Sequence, residues 1–147
     1  MRIRRMGKTV NLIKLSVGTD DVAGLDAWQN TKRAQTADGY PRHVTRMWPK
    51  REKELLNGGS IFWVIKGVIL CRQPILRLDA YDSADGIRRC AIVSKPGLIR
   101  VTATPKRAFQ GWRYLKPEDT PPDLACLGTA KDLPPHIRTK LVELGIW

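Results

Sequence analysis

The spacing of apolar residues changes along the chain, and each change marks an element. Residues 10–17 (VNLIKLSV) are apolar and rich in branched side chains, with Lys14 as the only charge, which is the pattern of a largely buried strand. Gly18 ends it, and Asp20 and Asp21 then offer N-cap oxygens to a helix. In that helix Val22, Leu25 and Trp28 fall on one face, so Trp28 is expected in the core beside Leu25. The pattern fades by residue 37, before the turn signal Asp38-Gly39-Tyr40-Pro41. Residues 43–47 (HVTRM) alternate as a short strand. Pro49 suits the first turn of a charged helix over 50–56, anchored by Leu55 and Leu56. Asn57-Gly58-Gly59 stops that helix, because glycine accepts the left-handed cap conformation.

The centre of the chain then takes the two-residue period of strands. Residues 60–66, 68–82, 87–93 and 98–102 read as strands separated by Gly67, Ser83-Ala84-Asp85-Gly86 and Lys95-Pro96-Gly97. Pro74, inside the second of these, predicts a bulge or an edge position. Phe62 and Trp63 are neighbours in one strand and must face opposite sides, so both are buried only if the sheet is covered on both faces. Residues 105–115 predict loop plus strand, and 117–135 a proline-rich ordered loop. Pro134 or Pro135 opens a last helix that runs to 144. A meander of this kind removes its edges by closing into a small barrel. The expected fold is therefore α+β, a mixed barrel of five to six strands with two or three flanking helices.

Composition narrows the setting. The chain has 147 residues, 42% hydrophobic and 27% charged, which suits one folded domain rather than a disordered chain. Residues 1–8 read as a basic N-terminal extension without the apolar stretch of a signal peptide, and 9–147 as a single globular domain. The apolar run over 61–70 is interrupted by Lys66 and too short to span a bilayer, so no membrane partner and a cytoplasmic location are expected. Cys71, Cys90 and Cys126 form an odd set without paired spacing, and with His43 and His136 they supply no zinc motif. Reduced thiols, no metal and no cofactor are expected.

Charge changes the picture more. The net charge is +12, and residues 39–117 hold 16 basic against 5 acidic side chains. No acid occurs from 86 to 117, while Arg88, Arg89, Lys95, Arg100, Lys106, Arg107, Arg113 and Lys116 accumulate there. A folded segment that gathers like charges repels itself, and a polyanionic partner relieves the repulsion. Arginine predominates, and its planar fork suits phosphates and base edges. Trp48, Phe62, Trp63, Phe109, Trp112 and Tyr114 lie in the same region, so aromatic faces that could stack bases alternate with cations. Arg46, Lys50, Arg51, Arg88, Arg107 and Arg113 are the candidate phosphate contacts. Trp48 and Trp112 read either as core or as stacking platforms, and Arg72, Gln73 and Gln110 as candidate base or phosphate contacts. Glu52 and Glu54 point to different sides of one helix, Asp79, Asp82 and Asp85 read as a solvated hairpin end, and no phosphate-cradling glycine loop is present.

The stretches VTRMWPKREKELLNGGSIFWVIKGVILCRQPILRL and FQGWRYLKPED resemble a small bacterial family of uncharacterised proteins, over nearly the whole chain from Val10 onward. A second resemblance is in element order: a short helix ending in glycines, then at once a strand and a meander, is similar to the PUA-like barrels, including the ASCH and EVE branches. That resemblance implies binding of RNA or of modified nucleobases. Catalytic ASCH proteins carry a lysine and a threonine just after the corresponding helix, where this chain reads Asn57-Gly58-Gly59-Ser60 and has no lysine before Lys66. The main expectation is thus a protein that binds structured RNA around an unpaired or modified base, with a small nucleobase-like ligand as a further partner. A hydrolase acting on a modified nucleoside is the alternative, with Ser60, Lys66 and His43 as nearest candidates. A basic adaptor for an acidic protein is a third.

Overall fold

A computed structural model describes residues 8–124. The basic extension up to residue 7, Cys126 and the expected closing helix lie outside the described residues. Within them the order is β1 (Asn11–Leu15), α1 (Val22–Gln29), β2 (Arg42–Thr45), α2 (Glu52–Leu55), β3 (Ser60–Ile65), β4 (Val68–Asp82), β5 (Arg88–Ser94), β6 (Ile99–Pro105) and β7 (Trp112–Leu115). Short 3-10 turns occupy Lys32–Ala34 and Pro117–Asp119. The architecture is α+β.

The seven strands form one mixed sheet along the path β2-β5-β4-β3-β1-β7, with β6 pairing β4 off that path. β1 and β3 run parallel, and the other pairs antiparallel. The closed barrel of five to six strands is corrected here: among the described residues there are seven strands, and no ladder joins the two ends of the path. The end strands β2 and β7 have four residues each. Side chains of β7 instead reach the segment that follows β2. Trp112 Nε1 donates to the Met47 carbonyl just after β2 (2.9 Å), and the Arg51 amide donates to the Tyr114 hydroxyl (3.0 Å).

Pro74 explains how one 15-residue strand serves several partners. Before it, β4 pairs with β3 and β6; after it, β4 pairs with β5. Proline brings no donor to a ladder, so the handover falls where a bond is already missing. The Ile75 amide reaches Gly59 O (2.9 Å), and a register shift follows between Ile75 and Arg77. The expected bulge is therefore present one residue on.

β3 is buried along its whole length because both sheet faces are covered. Ile61, Trp63 and Ile65 pack with Leu12, Val22, Leu25, Leu55 and Ile92. Phe62 and Val64 pack with Ile13, Ile69, Val101, Phe109 and Leu115 on the other side. Gly58 takes the expected left-handed cap (φ +86°) after α2. Gly59 has a different reason: a Cβ there would lie 2.3 Å from Val10 O and 2.5 Å from Leu55 O. No helix among the described residues is long and apolar enough to cross a membrane.

Candidate functional site

The face of the sheet that carries Trp63 also carries a cavity of about 690 Å³, within the size range of small-molecule sites. Its walls come from the end of β1 (Lys14), the following loop (Ser16, Thr19, Asp20, Asp21), α1 (Leu25, Trp28, Gln29), β2 (Arg42, His43), β3 (Trp63), β4 (Gln73) and β5 (Ser94). The N-cap turn expected at Asp20-Asp21 forms, with Asp21 Oδ1 accepting from the Gly24 amide (2.7 Å). Val22 and Leu25 are buried as the helical stripe requires, but Trp28 is 48% exposed. The next stripe position after Leu25 is Gln29, which is buried and takes the place expected for Trp28. Trp28 instead lines the cavity.

A closed amide network forms one wall. Gln29 Nε2 donates to Gln73 Oε1 (2.7 Å), and Gln73 Nε2 donates back to Gln29 Oε1 (2.8 Å). Trp63 Nε1 also donates to Gln73 Oε1 (2.9 Å), and Gln73 Nε2 reaches Lys95 O (3.2 Å). All four polar positions of the Gln73 amide are therefore occupied within the protein. Gln73 is 1% exposed and fixes the Trp63 indole and Gln29 rather than meeting solvent.

His43 packs edge-on against Trp63, with ring centroids 5.4 Å apart. Its Nε2 is buried and has no hydrogen-bond partner. Burial, and secondarily the nearby Lys14 ammonium, lower its pKa to about 4, so the ring is neutral at physiological pH. Lys14 is half-buried, and burial lowers its pKa below the usual lysine range. It faces Trp63 across the parallel pair with β3 and Trp112 across the antiparallel pair with β7. Trp112, Lys14 and Trp63 thus form one row over three adjacent strands, each about 5 Å from the next.

At the β7 end of this row stands an aromatic ledge. Trp112 packs edge-on against Tyr114 (4.9 Å) and holds Met47 through the bond to its carbonyl. Met47 is exposed, and Trp48 is 37% exposed with Nε1 donating to Glu52 (3.2 Å). The two aromatic-basic segments around Trp48 and Trp112 therefore come together. Arg46 and Lys50 flank Trp48 in the chain, are exposed, and have no ion pair among the described residues. Arg113 points to the other face of β7, over the Phe109 ring (5.0 Å). Arg107 and Gln110 are exposed on the loop before β7.

The other arginines expected to contact phosphate or base, Arg51, Arg72 and Arg88, are paired with acids. Arg51 pairs with Glu54 (2.6 Å) and lies over Tyr114; Arg88 pairs with Asp82 (3.2 Å). Arg72 clamps Asp123 with two bonds of 2.8 Å and donates to Ser60 Oγ (2.8 Å), tying the segment after β7 to the sheet.

Ser60, Lys66 and His43 are not brought together. Ser60 and Lys66 stand at opposite ends of β3, Lys66 in the two-residue turn that leads to β4 (φ +50°, followed by Gly67 at +80°). Lys66 pairs with Asp20 (3.3 Å). Ser60 lines a separate, shallower depression with Phe62 and Arg72, on the opposite sheet face from Trp63 and His43. Cys71 and Cys90 are buried, free, and pushed up to about 12 by burial, so neither is a thiolate at neutral pH. Among the described residues no group of three or more His, Cys, Asp or Glu side chains could hold a metal.

Lys14, Trp28 and Gln29 line the cavity without being among the expected site residues, and two of them carry a signal in the sequence. Lys14 is the lone charge in an apolar strand, and Gln29 is an amide on the apolar stripe of a helix. Trp28 carried none, since a tryptophan on that stripe reads as core.

No curated protein and no solved structure matches this chain. The chain belongs to the family described as "Protein of unknown function (DUF1489)", whose model matches residues 12–147.

Proposed function

We propose that the protein binds RNA by taking one unstacked base, standard or modified, into the cavity beside α1 while the adjoining strand crosses the ledge of Arg46, Trp48, Lys50 and Trp112. The row Trp112–Lys14–Trp63 carries this reading, because it sets the strand that bears the ledge residue Trp112 beside Lys14 and Trp63 of the cavity wall. The cavity is large enough for a nucleoside and is lined by indole rings and a neutral imidazole, groups that stack and hydrogen-bond an extruded base. The net charge of +12 supplies attraction for a phosphate backbone. The resemblance in element order to the PUA-like domains implies the same class of ligand.

Filter binding with a hairpin RNA carrying one unpaired base, against the fully paired form, tests the reading. Tighter binding of the unpaired form is expected. If Arg46, Lys50 and Arg107 each neutralise one phosphate, raising salt from about 50 to 200 mM weakens binding about 20-fold at the single-strand slope. Equal affinity for both RNAs, or an affinity indifferent to salt, overturns it.

A further inference from the structure

We infer that the cavity is a nucleotide site rather than a nucleoside site: Lys14 Nζ receives the phosphoryl group, and the base lies against Trp63 with one edge on His43 Nε2. The inference rests on the base-binding reading above and names the ligand's charged end. Lys14 stands in a central strand between two tryptophans and is half-buried, yet it has no carboxylate partner among the described residues. Both carboxylates of the cavity wall are committed elsewhere, Asp21 to the Gly24 amide and Asp20 to Lys66. Arg42, the other cation of the wall, is held over the Tyr81 ring (4.9 Å). An ammonium withdrawn from water without a counter-charge is unfavourable, and an incoming anion relieves that cost.

His43 supplies the second observation. Its Nε2 is buried without a partner beside the Trp63 ring, although buried polar atoms are nearly always paired. Thr102 Oγ1 shares that condition but lies on β6, outside the cavity wall. Lys14 and His43 line the same cavity, and Trp63 is the cross-strand partner of the first and packs edge-on against the ring of the second. A ligand with an anion at one end and a flat, hydrogen-bonding ring at the other satisfies both groups at once. A nucleotide has that form.

The four ribonucleosides, their 5′-monophosphates and inorganic phosphate are the probes, followed by tryptophan fluorescence and calorimetry with the full chain. For the base that binds, the monophosphate is expected to bind about ten-fold tighter than its nucleoside, as one charged hydrogen bond allows. In Lys14→Met, which keeps the apolar stem, the ratio of monophosphate to nucleoside affinity falls to about one, with circular dichroism checking the fold. A ratio near one in the unaltered protein, or a ratio that survives Lys14→Met, overturns the inference. So does inorganic phosphate binding as tightly as every nucleotide. RNA binding that persists when none of the eight mononucleosides and mononucleotides binds overturns this inference alone, whereas failure to bind the unpaired-base RNA fails the earlier reading.

Discussion

A buried primary amide has two N–H groups and two lone pairs to satisfy, and Gln73 satisfies them with Gln29, Trp63 and Lys95 O. Replacing it with leucine leaves the Trp63 indole N–H and the Gln29 amide without partners in a closed space. Gln73→Leu should lower the unfolding free energy by about 2–4 kcal/mol, read by urea denaturation, with Trp63 fluorescence shifted to the red. A loss below about 1 kcal/mol would mean that water replaces the missing partners. His43 makes a prediction of a different kind. Its folded pKa of about 4 lies below the unfolded value of 6.5, so the unfolded chain takes up the proton first as pH falls. Stability is therefore complete above 6.5 and declines on acidification toward 4. Between pH 7 and 5 the His43 contribution amounts to at most about 2 kcal/mol. Denaturation of the unaltered protein and His43→Asn at both pH values isolates it, and the variant should lack this part of the decline.

At the scale of elements, the two glycines after α2 separate two causes that a sequence presents alike. Gly58 is left-handed with open space around its Cβ position, so Gly58→Ala costs only the backbone penalty, about 1 kcal/mol. Gly59 has no positive φ, but an added methyl would overlap two backbone carbonyls. Gly59→Ala should then cost about 3 kcal/mol or more, because neither β1 nor α2 can shift without disturbing β3. Thermal unfolding of the two variants gives the order, and equal losses would refute the distinction. The run Asn57-Gly58-Gly59 announced a helix stop, which is local chemistry. It could not announce that β1 passes against Gly59, which is tertiary. The same division runs through the fold. The bounds of β4 were legible because two-residue alternation and turn residues are local signals, and Pro74 marked its handover because a missing donor is visible in any sequence. A strand within 105–115 was legible, but its place beside β1 and the open path of the sheet were not. β7 has four residues, and its pairing with β1 joins positions about 100 apart in the chain. Trp28 differs from its expected core position for a related reason: helical period picks a stripe, but only the neighbouring elements decide which end of the stripe is covered.

For the whole molecule, the surplus of positive charge was legible from the sequence, whereas its distribution was not. Whether an arginine is free depends on acids distant in the chain, as the pairing of Arg72 with Asp123 illustrates. The aromatic-basic segments around Trp48 and Trp112 were visible one by one. Their union depends on the Trp112 bond to Met47 O across 65 residues. The cavity was the least legible feature, since it is built from seven elements whose residues look like ordinary core and loop. This division of cations yields a prediction that composition alone cannot make. Arg88 is held by Asp82 at the far end of the β4–β5 hairpin, whereas Arg46 and Lys50 flank Trp48 with no acid paired to them among the described residues. Removing a positive charge that already faces a carboxylate releases little condensed counterion when RNA binds. Arg46→Gln and Lys50→Gln should each reduce the slope of log affinity against log salt by about 0.7, while Arg88→Gln leaves it nearly unchanged. Salt titrations of RNA affinity for the three variants decide the matter. If all three change the slope equally, net charge alone governs association and the ledge has no privileged part in it.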